Sequence, residues 1–253
     1  MSKSEAIGYK TQYFSAPKLI FLSGLPAGRP DNKNISYYGA SCFKIQSGEI
    51  VLGFDPPSKE SGLKAPRFES HVALISHDHP KHNGREALNA KEEKLLIVDG
   101  PGEYEIKGAF INGISSFHDG DQGKKYGLNT IYKVELEGLT LAHFGDFGEK
   151  DLRNNIKEAL NGIDILILPI GGDTVMSAET AAQITSQIEP RVVIPMHFDS
   201  SSGKSKSGKS KSSLDIFLEE LGQEKMKPED KFTIKKKDLA EEGVKVVILQ
   251  PII

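Results

Sequence analysis

The stretch Ile75–Gly84 reads ISHDHPKHNG and contains three histidines, His77, His79 and His82. It follows the apolar run HVALIS, which predicts a buried strand. In an extended segment residues two apart point to the same side, so His77 and His79 can reach one ion. A helix beginning near Pro80 would bring His82 back to the same point. Imidazole is a good ligand for zinc and iron, which favours a metal site over a solvated histidine-rich turn.

Further candidate ligands stand directly after later apolar runs. His118 ends NGISSFHDG, Asp146 ends LTLAHFGD and His197 ends RVVIPMHF. Gly145 lets the backbone turn tightly before Asp146. Loops at strand ends collect the functional residues of α/β folds, so the shared placement of these residues predicts one distributed metal site. Singly, each of them is more typical of a structural residue.

The composition limits the class of protein. The chain has 253 residues, of which 38% are hydrophobic, enough for one large domain or two small ones. A net charge of -3 gives no global reason to expect nucleic acid or an anionic membrane as partner. The single cysteine, Cys42, excludes an intrachain disulfide and fits a reducing compartment.

The N-terminal region contains the apolar run Leu19–Leu22, which Ser23 and Gly24 end early. A signal peptide needs an apolar stretch of roughly seven to fifteen residues, so a buried strand is the favoured interpretation. No run approaches the roughly twenty apolar residues of a membrane helix. We expect a soluble, cytoplasmic protein.

The pattern of elements changes at about residue 149. Before it, short strand-like runs follow one another, among them SYYGASCFKI, EIVLGFD, LLIVDG, AFINGI, NTIYKVEL and LTLAHF, with SG as a hairpin turn between the first two. After it, helical patterns alternate with apolar runs; the helices are predicted at 149–160, 177–188 and 214–221, the strands at 164–170, 191–196 and 244–251. This predicts an N-terminal extension, 1–34, followed by one layered α/β domain, 35–253.

The ordered segments SHDHPKHN, FHDG, HFGD and PMHF resemble the metallo-β-lactamase superfamily. They are most similar to the L-ascorbate-6-phosphate lactonase-like branch of its Zn-dependent hydrolases, as are DGPGEYEIKG and ILPIGGDTVMSAETAAQI. The resemblance runs from about Ile35 to the C-terminus. It implies a mixed α/β fold, a four-layer αββα sandwich, with the metals at one edge of the two sheets.

The resemblance also implies roles, carried over by position. The first metal would be held by His77, His79 and His118, the second by His82 and His197, and Asp146 would bridge them. Asp55 would brace the metal loop without binding metal. His143 has no ligand position in the pattern, and we expect it, like Asp78, to neighbour the ligands. His71 begins a strand, and we expect it at the surface. Glu103 and Tyr104 would lie on a loop near the site, where they brace the loop or contact substrate.

Lys81 departs from the family pattern, which has an aspartate ligand of the second metal there. An ammonium has no lone pair and repels a cation. Three hypotheses follow. Lys81 occupies the vacated space, pairs with Asp146 and polarises a substrate oxygen; or it turns to solvent and two metals still bind; or catalysis is lost while the fold is retained.

The resemblance implies hydrolysis of a small ester, lactone or phosphoester by metal-activated water, with Asp146 and Lys81 as catalytic residues. We expect one or two zinc ions, with Mn²⁺ or Fe²⁺ as alternatives. The expected partner is a small-molecule substrate, with a phosphorylated one among the candidates. The alternative functions are a phosphodiesterase or ribonuclease of the same fold and a non-catalytic descendant that binds a metal or a partner.

The segment Gly203–Ser210, GKSKSGKS, matches the phosphate-loop pattern. It is a short repeat, so low complexity explains the match, and a solvated loop is the favoured interpretation. Lys204 and Lys206 are weak candidates for binding a phosphorylated substrate, and RNA is not favoured as a partner. A homo-oligomer is left open by the sequence.

Overall fold

Two β-sheets pack face to face and position every strand end that the sequence singles out. The computed structural model describes residues 32–198, 211–240 and 242–252. Within them the strands are β1 (Lys33–Tyr37), β2 (Phe43–Ser47), β3 (Ile50–Phe54), β4 (Glu69–Ser70), β5 (Val72–Leu74), β6 (Asn89–Ala90), β7 (Leu96–Val98), β8 (Gly102–Ile106), β9 (Ala109–Phe117), β10 (Leu128–Leu136), β11 (Leu139–His143), β12 (Ile165–Pro169), β13 (Val192–Met196), β14 (Phe232–Ile234) and β15 (Lys245–Val246). The helices are α1 (Asn154–Ala159), α2 (Ala178–Ile188) and α3 (Ser213–Glu220), with 3₁₀ turns at Lys59–Ser61 and Lys236–Asp238.

The strand order explains how distant segments reach one edge. The first sheet runs β14-β1-β2-β3-β5-β7, the second β15-β13-β12-β11-β10-β9-β8, and β4 pairs with β6 in a small third sheet. Strands β3, β5 and β7 are mutually parallel, as are β11, β12 and β13. Strand β9 is antiparallel to β10, which is antiparallel to β11, so β9 and β11 run the same way.

Two turns that contain residues with positive φ separate the first three strands. The predicted hairpin between β2 and β3 is confirmed, with Ser47 paired to Ile50 and Gly48 at a φ of 54° in the two-residue turn. The run SYYGASCFKI forms two strands instead of one, because Gly39 and Ala40 reverse the chain with φ of 97° and 49°.

The core of the described chain has two large layers, one on each side of the second sheet, and a smaller cluster on the outer face of the first sheet. Inward-facing residues of both sheets, such as Leu52 and Ile167, form the layer between the sheets. Leu166 and Phe217 belong to the layer beneath α2 and α3. The predicted mixed α/β sandwich is confirmed. On the outer face of the first sheet, the described residues provide Phe68 and Leu88 as the cover, from irregular segments instead of an α-helix.

Helix boundaries follow their caps. The Ser177 hydroxyl accepts the N–H of Thr180 and starts α2, and Ser212 and Asp215 form a capping box at the start of α3. The helix predicted over 149–160 begins only at Asn154, since Glu149 instead accepts the N–H of Phe117.

Three other expectations need correction or stay open. The predicted strand 244–251 is regular only at Lys245–Val246. His71, expected at the surface, is buried, and its Nδ1 accepts the N–H of Val51. The predicted strand at Leu19–Leu22 and the GKSKSGKS loop with Lys204 and Lys206 lie outside the described residues. Among the described helices none is long and apolar enough to cross a membrane.

Candidate metal centre

The carboxyl ends of five strands meet at one edge of the sandwich, called here the histidine edge. Asp55 follows β3, the segment ISHDHPKHNG follows β5, and the ends of β9, β11 and β13 contribute one residue each. The members of the histidine edge are Asp55, His77, His79, His82, His118, Asp146 and His197. Parallel strands present their carboxyl ends together, which is why residues far apart in sequence converge.

One carboxylate oxygen lies at the centre of the histidine edge. Four imidazole Nε2 atoms surround Oδ2 of Asp146, at 3.2 Å for His82, 3.3 Å for His118, 3.5 Å for His197 and 3.9 Å for His77. Asp146 and three of the rings are buried or nearly so, with side-chain exposures of 4% for Asp146, 1% for His82, 6% for His77 and 8% for His118. The charge of His82, together with the hydrogen bond to His118, outweighs burial and lowers the pKa of Asp146 well below its usual value.

The backbone around Asp146 fixes its orientation. Its Oδ1 accepts the Ser41 hydroxyl at 3.0 Å, and its N–H donates to Oδ1 of Asn129 at 3.0 Å. Gly145 has a φ of 55°, and a Cβ there would lie 2.4 Å from Asn129 Oδ1 and 2.5 Å from the Ser76 side chain. Only glycine fits at this position, so the turn that delivers Asp146 depends on it.

A hydrogen-bond relay sets the tautomer of His77. The Ser76 hydroxyl lies 2.7 Å from Asp55 Oδ2 and 3.0 Å from His77 Nδ1. The hydroxyl has one proton, which it donates to the carboxylate, so Nδ1 of His77 must be the donor in the second contact. The lone pair of Nε2 is then free to face Asp146. Burial and the charge of His82 lower the pKa of His77 to about 4, which keeps the ring neutral.

His82 lies between two carboxylates. Its Nδ1 is 3.4 Å from Asp55 Oδ2, and its Nε2 faces Asp146. Burial lowers the pKa of His82, but Asp146 and Asp55 outweigh it and raise the value to about 9. The ring reaches this position through a turn, in which the N–H of His82 donates to the carbonyl of His79 at 2.8 Å, instead of through the predicted helix.

His118 and His197 approach from the second sheet. The N–H of His118 donates to the Gly127 carbonyl at 3.1 Å, which closes a loop over residues 119–127. His197 has a φ of 53°, and its N–H donates to the Ala40 carbonyl at 3.1 Å. A positive φ is costly for histidine, so tertiary contacts impose the conformation that turns this ring inward. Burial lowers the pKa of His197.

His79 and Lys81 lie on the outer side of the histidine edge, and both are exposed. Nδ1 of His79 accepts the N–H of Lys81 at 3.3 Å. A ligand atom of His79 lies within 4.8 Å of ligand atoms of His77 and His82. His77 also has a ligand atom within 4.8 Å of those of His118 and Asp146, a group to which His79 does not belong. The hypothesis that Lys81 pairs with Asp146 is not supported: in the described chain Asp146 has only histidines as ionic neighbours, because His82 and His197 fill the space around it.

The remaining predicted residues separate into two groups. His143 is buried against Phe54, and its ring bonds the carbonyl of Ser41, whose hydroxyl holds Asp146. Asp78 is exposed and accepts Nδ2 of Asn83. Glu103 and Tyr104 lie in the edge strand β8 and not on the predicted loop, because Gly102–Ile106 completes the second sheet against β9.

Buried donor atoms without partners show what the histidine edge can hold. The described residues contain five buried side-chain polar atoms that make no hydrogen bond; four are His77 Nε2, both ring nitrogens of His82, and His118 Nδ1. The two nitrogens of His82 have only the ion-pair contacts with Asp55 and Asp146. Leaving such an atom unsatisfied costs about 1–3 kcal/mol, unless something else binds it. Two ligands of a tetrahedral zinc, each about 2.0–2.1 Å from the ion, lie roughly 3.3 Å apart. The separations around Asp146 therefore fit metal ions held by imidazole and carboxylate.

Comparison with known proteins agrees with the fold and the donor set. The family model of the β-lactamase superfamily domain matches residues 34–197. Two structures show the fold: a metallo-β-lactamase superfamily protein of Thermotoga maritima (TM-score 0.64, 23% identity, 86% of this chain and 98% of that one) and the metallo hydrolase Igni18 of Ignicoccus hospitalis (0.56, 19%, 81% and 99%). The chain is a member of the β-lactamase superfamily.

Relatives with similar sequences identify a narrower family within the superfamily. A UPF0173 metal-dependent hydrolase of Pyrococcus horikoshii is 36% identical over 191 residues, which cover 65% of this chain and 84% of the relative. A second, from Pyrococcus abyssi, is 35% identical over 191 residues with the same coverage. The chain belongs to this family of metal-dependent hydrolases.

Sequence reasoning missed four residues that shape the site. Ser41 and Asn129 hold Asp146 from other strands, and no local pattern marks them. Ser76 stands next to His77 in ISHDH, so its adjacency could have indicated the relay. Tyr126, whose ring centroid is 5.2 Å from that of His118, lies in a Gly-rich segment that gives no such signal.

Proposed function

We propose that this chain hydrolyses a small ester, lactone or phosphoester, using water activated by metal ions at the histidine edge. One observation carries the proposal: four imidazole Nε2 atoms converge on a single buried carboxylate oxygen. A structural cluster would satisfy its own polar atoms, whereas this one has free donor atoms at ligand spacing.

The residues divide into two metal sites that share Asp146. His77 and His118 would hold the first ion, with His79 at its outer side, and His82 and His197 would hold the second. The first site is a set of imidazoles and one carboxylate, which suits zinc. Manganese and ferrous iron are competing outcomes of the metal analysis.

An ion held by these residues would supply two effects: a lower pKa for its bound water, from about 16 towards 7, and stabilisation of a developing oxyanion. The chain itself supplies orientation and proton handling. Asp146 is held through Oδ1 by Ser41, so Oδ2 keeps one direction and can orient the attacking water. Asp55 acts through Ser76 by holding the tautomer in which Nε2 of His77 is the ligand atom.

Lys81 alters the second site without filling it. Its side chain is exposed, and His82, His197 and Asp146 meet without it. We infer that two ions bind, the second more weakly than the first, because the aspartate ligand of the family is replaced by a cation. Lys81 then faces the substrate side, where it can polarise a substrate oxygen.

The test is a metal analysis followed by a substrate panel. Metal per chain is measured on protein purified with zinc, manganese or iron, and each form is assayed on a lactone, a phosphorylated lactone, an aryl ester, a phosphomonoester, a phosphodiester, RNA and a β-lactam. We expect ester, lactone or phosphoester turnover that requires metal and is lost in Asp146→Asn. Asp151→Asn, at an exposed carboxylate that pairs with Lys157 and belongs to none of the donor groups, serves as the matched control.

The panel separates the finer alternatives. Turnover of a phosphorylated lactone would place the chain with the L-ascorbate-6-phosphate lactonase-like branch. Turnover of RNA or a phosphodiester alone would favour the phosphodiesterase or ribonuclease alternative. Metal binding without turnover of any member would favour the non-catalytic descendant and overturn the hydrolase proposal.

A further inference from the structure

The loop that follows His118 is built by one carboxylate. Oδ1 of Asp119 accepts the N–H groups of Asp121 and Gly123, and Oδ2 accepts those of Lys125 and Tyr126, at 2.8–2.9 Å. These four bonds, with the His118–Gly127 backbone bond, hold residues 119–127 in one conformation, called here the Asp119 loop. A carboxylate saturated by backbone donors is a rigid brace.

The Asp119 loop places an aromatic ring and a cation beside the donor atoms. The Tyr126 ring lies 5.2 Å from the His118 ring between centroids, at an angle of 53°, yet remains 39% exposed. Nζ of Lys125 lies 4.5 Å from the centre of the Tyr126 ring. Leu128, two residues further on, is 61% exposed, so two of the five exposed large hydrophobic residues of the described chain flank Gly127.

The positions of Tyr126 and Lys125 contribute little to the stability of the fold. An exposed aromatic ring beside a histidine with an unpartnered nitrogen contributes little to the core, and an exposed lysine over a ring contributes little to stability. Together they form a rigid surface with an apolar face and a positive charge, next to the place where an ion would bind. Such surfaces recognise a ligand with an apolar part and an anionic group.

We propose that the Asp119 loop binds the substrate of the histidine edge, with Tyr126 as an apolar wall and Lys125 as the cation that recognises a negatively charged group on the substrate. That the bound ligand is a substrate rests on the proposed function. That the loop binds an anionic ligand with an apolar part does not. The ligand chemistry is an anionic group, carboxylate or phosphate, attached to an apolar part.

The chain supplies a matched control in the neighbouring lysine. Nζ of Lys124 pairs with Asp121 at 3.1 Å, and both side chains are exposed, whereas Lys125 extends over Tyr126. Lys124→Ala and Lys125→Ala remove the same charge from the same loop. If the loop acts only through its general electrostatic field, both substitutions should weaken ligand binding equally. If Lys125 makes a specific contact with the ligand, only Lys125→Ala should weaken binding.

The experiment measures dissociation constants by calorimetry on full-length, metal-loaded protein, with inorganic phosphate, phenyl phosphate and phenylacetate as probes. We expect Lys125→Ala to weaken phenyl phosphate or phenylacetate about fivefold, the scale of one charge contact near 4 Å in water, and Lys124→Ala to change it by less than about twofold. The probe whose binding is weakened shows whether the recognised anionic group is a phosphate or a carboxylate. Equal losses in both variants, or none in either, would overturn the role of Lys125.

A second set of variants tests the role of Tyr126 as the apolar wall. We expect wild type and Tyr126→Phe to bind phenyl phosphate more tightly than inorganic phosphate, and Tyr126→Ala to lose that preference. A preference kept in Tyr126→Ala would overturn the role of Tyr126. Metal per chain is measured for every variant, since Tyr126 touches His118. Phenylacetate and inorganic phosphate have no ester bond to hydrolyse, so their binding is measured without turnover. Failure of the substrate panel would sink hydrolysis and leave the binding result to stand or fall separately.

Discussion

Two buried polar clusters lie at opposite edges of the sandwich, and they differ in whether their atoms have partners. At the edge away from the histidines, Nζ of Lys33 lies 3.3 Å from Oε2 of Glu137, and the Ser47 hydroxyl donates to that same oxygen. Lys33 is 1% exposed, so its charge is balanced within the protein. At the histidine edge, ring nitrogens of three histidines have no hydrogen-bond partner among the described residues.

The difference separates a cluster made for the fold from one made for a ligand. A buried charge is tolerated when a partner compensates it, as Glu137 does for Lys33. Unpartnered imidazole nitrogens around a carboxylate lower stability unless an ion binds them. The histidine edge should therefore be stabilised by metal, whereas the Lys33–Glu137 cluster should be indifferent to it.

The largest effect is expected from Asp146→Asn, which keeps the shape of the side chain and removes its charge. Two of the three groups of donor atoms among the described residues share this carboxylate. We expect metal affinity to fall roughly a hundredfold or more, since even partners of the ligands are worth 10–100-fold. Metal per chain after dialysis is the measurement, and His118→Ala should match it. Metal content equal to wild type in both variants would refute the assignment of the site.

Gly145→Ala tests whether the turn before Asp146 is required. The added Cβ meets Asn129 and Ser76, and φ is positive, so we expect a loss of about 2–4 kcal/mol of unfolding free energy together with weaker metal binding. Gly138→Ala is the control, because Gly138 has a φ of 74° but no atom within 4 Å of a Cβ. Urea unfolding of both variants gives the difference; equal losses would show that only backbone strain matters at Gly145.

Much of this comparison could be foreseen from the sequence, but only where the signal was local. Strand runs and the turn at Gly48 predicted a layered α/β domain, and histidines directly after those runs predicted the histidine edge. The sandwich came from the family resemblance. Partners contributed by other strands were invisible, since Ser41 and Asn129 reach Asp146 only after the sheets pack. The Lys33–Glu137 cluster was missed for the same reason: its members are separated by 104 residues.

Glu137→Gln probes the satisfied cluster. The substitution leaves the buried Lys33 charge without its carboxylate, and we expect a loss of about 2 kcal/mol, below the 3–5 typical of a fully buried pair because Glu137 is 20% exposed. Thermal unfolding with and without added zinc is the measurement. Metal content and the stabilisation by zinc should equal those of wild type. A reduced zinc effect would mean that the two edges are coupled, and the comparison would fail.

Lys81→Asp should have the smallest effect on the fold and a selective one on the second ion. Lys81 is exposed, so the substitution disturbs no packing; it removes a cation and adds a carboxylate beside His82 and His197. We expect the second ion to bind at least about tenfold more tightly, or 1.4 kcal/mol, with the first ion unchanged. Lys81→Gln, which removes only the cation, should give a smaller gain. Titration of metal-free protein with zinc resolves the two ions. If wild type already holds two ions with equal affinity and the Asp variant does not differ from it, Lys81 has no influence on the second site, and the histidine edge is complete without the aspartate that the family uses.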